Sequence, residues 1–92
     1  MAGILIALPG NDDHAERLSR STGLPIAVTE IRAFPDQEVY VRIDSDVKGL
    51  DVVIVGSLDK PADKFLLIAF LAETARDLGA ARVGLVAPYL AF

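Results

Sequence analysis

The chain has 92 residues, a formal net charge of -4 at pH 7 and no cysteine. That length holds one small domain, and the missing cysteines exclude disulfides, thiolate metal sites and cysteine nucleophiles, in keeping with a reducing cytoplasm. The nine basic residues are scattered singly between Arg17 and Arg82, which speaks against a nucleic-acid surface.

A hydrophobic content of 52% is more than a small monomer readily hides. Strands covered on both faces, or a surface shared with a partner chain, would account for it. Met1 to Leu8 lacks the basic flank and the length of a signal peptide. The longest apolar run, Phe65 to Ala72, is too short to cross a bilayer, so a soluble cytoplasmic protein with no membrane partner is expected.

In chain order, Gly3 to Leu8 is a continuous apolar run ended by Pro9-Gly10-Asn11, the pattern of a parallel strand buried on both faces. Asn11, Asp12 and Asp13 offer N-caps and favourable charge for a helix from about Asp13 to Thr22, closed by Gly23 and Pro25. This helix carries little apolar surface and is expected at the periphery. Ile26 to Ile31 reads as a second strand and Glu38 to Ile43 as a third. In the third strand Val39, Val41 and Ile43 point to the core while Glu38, Tyr40 and Arg42 point away.

Val52 to Val55 is a fourth, fully apolar strand. A helix runs from Pro61 or Ala62 to Leu78, with proline at its start and Gly79 just past its end. Its first half, Phe65 to Ala72, is apolar all round, as in a helix that is sandwiched or held in a subunit interface. Arg82 to Ala87 is a fifth strand. The order predicts an α/β fold, a mostly parallel sheet flanked by helices, with a β-hairpin or flap around residues 26–43.

Three stretches invite a functional reading. The loop Pro9 to His14 stands between strand and helix, where phosphate-binding turns occur, but it has one glycine and two carboxylates that repel phosphate. Capping is the better account, and His14, the one histidine, reads as a solvent-facing helix residue. Asp12-Asp13 resembles the acidic pair of receiver domains. The aspartate ending the third parallel strand and the lysine after the fifth, which such domains need, are missing. The third stretch is Phe34-Pro35-Asp36-Gln37-Glu38. An adenine needs an aromatic face to stack on and acceptors for its exocyclic amine, and Phe34, Asp36 and Glu38 supply both. The same spacing also suits an ordinary turn of solvated acids beside an edge strand.

Phe34-Pro35-Asp36-Gln37-Glu38-Val39-Tyr40-Val41-Arg42-Ile43 resembles the Phe-(Ser/Pro)-Asp-(Gly/Asn)-Glu-x-x-Val-x-Ile signature of ribose-phosphate diphosphokinases, the phosphoribosyl pyrophosphate synthetases. Gly10-Asn11 is similar to that family's early Gly-Asn turn, Val47-Lys48-Gly49-Leu50-Asp51-Val52 to its Val-Arg-Gly-x-Asp-Val connection, and Val86 to Phe92 to its Val-x-Pro-Tyr-x-x-(Tyr/Phe) segment. The Phe-Pro-Asp and Ala-Pro-Tyr-Leu-Ala variants look most like the archaeal-type branch.

The resemblance implies that residues 1–92 form a phosphoribosyltransferase-like N-terminal domain, a fragment without the C-terminal domain. The parent enzyme would convert ATP and ribose 5-phosphate to phosphoribosyl pyrophosphate and AMP, with magnesium, as a homo-oligomer. It further implies that Phe34, Asp36 and Glu38 hold adenine in a neighbouring subunit's site. No catalytic residue and no metal ligand of the family is expected in this chain, which alone should be inactive. Three departures stand out: Ala33 replaces a frequent arginine, Gln37 replaces glycine or asparagine, and Asp46-Val47-Lys48 replaces the Ser-x-Arg of phosphate-regulated members. Two other readings are a non-catalytic interaction subunit that assembles with synthetases and an unrelated small α/β ligand-binding domain.

Overall fold

A computed structural model of the chain describes residues 2–33, 39–57 and 61–87. Seven elements follow one another: β1 (Gly3–Ala7), α1 (Asp12–Thr22), β2 (Thr29–Ala33), β3 (Val39–Ile43), β4 (Asp51–Val55), α2 (Pro61–Asp77) and β5 (Arg82–Val86). β1, β4 and β5 form a parallel sheet with β4 in the middle, and β2 and β3 form an antiparallel hairpin. The mostly parallel α/β arrangement and the hairpin are as the sequence patterns predict.

The expected strand at Ile26 to Ile31 is in fact two pieces. Leu5 N–H donates to Pro25 O at 2.9 Å and Ala27 N–H to Leu5 O at 2.7 Å, so Ile26 makes a single parallel bridge on the free edge of β1. The backbone then leaves that edge. Val28 is held instead from the far end of β3, its N–H donating to Ser45 Oγ at 2.8 Å and its carbonyl accepting from Asp44 N–H at 2.7 Å. Thr29 onward pairs with β3, because the antiparallel ladder offers five residue pairs where the β1 edge offers one.

Side chains alternate across the sheet and build two apolar layers. Ile4 and Ile6 of β1 with Val52 and Ile54 of β4 face α2, joined by Ile43 of β3 and by Leu67, Leu71 and Ala75. Leu5 and Val55 face the other way, against Ala15 of α1. The continuous apolar runs of β1 and β4 are thus covered on both sides.

Both helices stop at glycines in left-handed backbone. Gly23 ends α1 with its N–H on Ser19 O at 2.8 Å. After α2, Gly79 has φ 96°, its N–H donates to Arg76 O at 2.9 Å, and Ala80 N–H reaches back to Ala75 O at 3.0 Å. That paired closure satisfies two terminal carbonyls and turns the chain toward β5.

Candidate functional site

The hairpin owes its form to alternation. Ile31, Val39 and Val41 pack half-buried against the main core and Ile43 is buried in it. The other face turns Tyr40 and Arg42 outward, as the strand pattern predicts, with Glu30 and Arg32 beside them. Glu30 stands directly opposite Arg42 in the ladder and Arg32 opposite Tyr40.

The charges on that outer face are connected. Arg42 Nε lies 2.8 Å from Asp44 Oδ1, and its terminal nitrogen lies 3.2 Å from Glu30 Oε2. The other oxygen of Glu30 pairs with Arg32. The hydrogen bond that Arg42 donates to Asp44 and the charge of Asp44, then the charges of Glu30 and Tyr40, raise the pKa of the Arg42 guanidinium above its already high ordinary value. A raised value keeps Arg42 charged from acid pH up through that ordinary range, so this member of the cluster does not titrate under working conditions. Sequence reasoning did not find the cluster. Its signal was present as opposite charges at Glu30 and Arg42, but pairing them requires the hairpin register.

Ala33 and Val39 are the last paired residues of the hairpin, so residues 34–38 connect the two strand ends. The predicted adenine-binding residues Phe34, Asp36 and Glu38 lie outside the described residues.

The loop after β1 departs from its expected role. Asn11 stands at the N-cap of α1, yet its side chain makes no capping bond. It is buried: Nδ2 donates to Pro9 O at 3.2 Å, and Oδ1 accepts from Ser57 N–H at 3.2 Å. The side chain therefore ties the end of β1 to the end of β4. His14 is half-buried rather than solvent-facing, its Nδ1 3.3 Å from Asn11 Oδ1. Together with Arg17, Leu18, Ser21, Val55 and Val86 it lines an open cleft of about 370 Å³ between α1 and the ends of β4 and β5. Among the described residues no group of three or more His, Asp or Glu is placed to hold a metal ion, and no helix is long and apolar enough to cross a membrane.

Comparison with known proteins is decisive about kinship. Residues 4–92 match the family described as the N-terminal domain of ribose phosphate pyrophosphokinase. The chain belongs to that family. A ribose-phosphate pyrophosphokinase of Saccharolobus solfataricus is 42% identical over 78 residues, 84% of this chain and 27% of that protein. Its counterpart in Aeropyrum pernix is 35% identical over 82 residues, 87% of this chain and 26% of that protein. The chain therefore spans about a quarter of the length of these curated relatives.

Among solved structures, phosphoribosylpyrophosphate synthetase from Mycobacterium smegmatis superposes with a TM-score of 0.81 at 20% identity, covering 96% of this chain and 30% of that one. Purine phosphoribosyltransferase from Pyrococcus horikoshii superposes with a TM-score of 0.65 at 22% identity, covering 99% of this chain and 70% of that one. At those identities the likeness concerns the fold, and it agrees with the phosphoribosyltransferase-like architecture expected from the sequence.

Proposed function

We propose that this chain is the N-terminal domain of a ribose-phosphate diphosphokinase, which transfers the β,γ-diphosphoryl group of ATP to the 1-hydroxyl of ribose 5-phosphate. In that reaction the hydroxyl oxygen bonds to the β-phosphorus, the bond between that phosphorus and the α-phosphate oxygen breaks, and AMP leaves. The observation that carries the reading is the family match over residues 4–92, which includes the whole hairpin and the segment it bears.

The part assigned to this chain is binding rather than chemistry. Phe34 stacks on the adenine, and Asp36 and Glu38 accept from its amine edge, in the site of a neighbouring subunit of a homo-oligomer. An aromatic face and paired carboxylates suit that role. Magnesium would screen the phosphate charges during transfer, and its ligands are expected elsewhere in the enzyme. A cytoplasmic setting, where ATP and ribose 5-phosphate are found, belongs to the same proposal.

The test is Phe34→Ala, Asp36→Asn or Glu38→Gln in the full-length parent enzyme. The expected outcome is a selective rise in the Michaelis constant for ATP, with that for ribose 5-phosphate unmoved. Unchanged dependence on ATP in all three variants would sink the adenine-site assignment.

A further inference from the structure

We draw no further inference here: the strongest candidate, the exposed apolar patch of Phe65, Leu66 and Phe70 on the outer face of α2, carries nothing because nothing in the structure shows what covers it.

Discussion

Asn11 shows how little of a side chain's task is visible in its type. Its place before a helix, followed by two aspartates, has the form of a cap, and the backbone does begin α1 there: Ala15 N–H donates to Asn11 O at 3.1 Å. Burial and two bonds reaching Pro9 and Ser57 turn the amide inward instead. Asn11→Ala is expected to cost about 1–3 kcal/mol, the usual penalty for removing a buried hydrogen-bonding partner. Asn11→Asp should cost at least as much, because it sets a carboxylate oxygen against Pro9 O where the amide now donates. Urea unfolding midpoints of the two variants measure both effects. Gly56 is a second such position. A Cβ there would lie within about 3 Å of the Cβ, Cγ and Cδ1 of Leu8, a side chain with no exposed surface. Gly56→Ala should therefore destabilise the fold by about 1–3 kcal/mol, the cost of overpacking a filled core; thermal unfolding would register it, and an unchanged midpoint would refute the crowding.

Among the elements, α2 is where pattern and structure part company. Proline at its start and glycine past its end marked its limits, but a run apolar all round has no periodicity from which to choose a buried face. In the structure the choice falls on Leu67, Leu71 and Ala75, spaced four apart, while Phe65, Leu66 and Phe70 remain 57%, 42% and 39% exposed. Leu71→Ala should cost about 2–5 kcal/mol through lost burial and the cavity left behind. Phe65→Ala, the larger truncation, should cost under about 1 kcal/mol in the isolated chain, since little of its surface leaves water on folding. A reversed order in denaturant unfolding would mean that α2 presents a different face to the sheet. β3 is the contrasting case, because strict alternation declares a face as soon as the strand is recognised. Ile26 to Ile31 misled for a related reason. Its apolar residues suit either edge, and which edge each one joins depends on partners contributed by β1 and β3.

For the whole molecule, the layering was legible because it follows from composition and order alone. Continuous apolar strands require cover on two sides, and the helices between them supply it. The site was legible only in part. Phe34, Asp36 and Glu38 are proposed from residue type and family resemblance, since their spacing alone suits an ordinary turn equally, whereas the Glu30–Arg42 pair exists only once two strands are aligned. The same register logic bears on what the chain does by itself. Diphosphoryl transfer needs cations converging on the transferring group. Of the nine lysines and arginines, Arg20, Arg32, Arg42 and Arg82 are already paired with carboxylates on separate elements. The described portions of β1, β4 and β5 bring apolar side chains, not cations, to their carboxyl ends, where ligands of parallel sheets gather. The 92-residue chain is therefore expected to form no AMP from ATP and ribose 5-phosphate with magnesium present, at any protein concentration that keeps it in solution. Joining it to the remainder of a synthetase should restore turnover. AMP release by the chain alone, abolished by Asp36→Asn, would show that the catalytic groups reside within these residues and would reverse the division of labour proposed above.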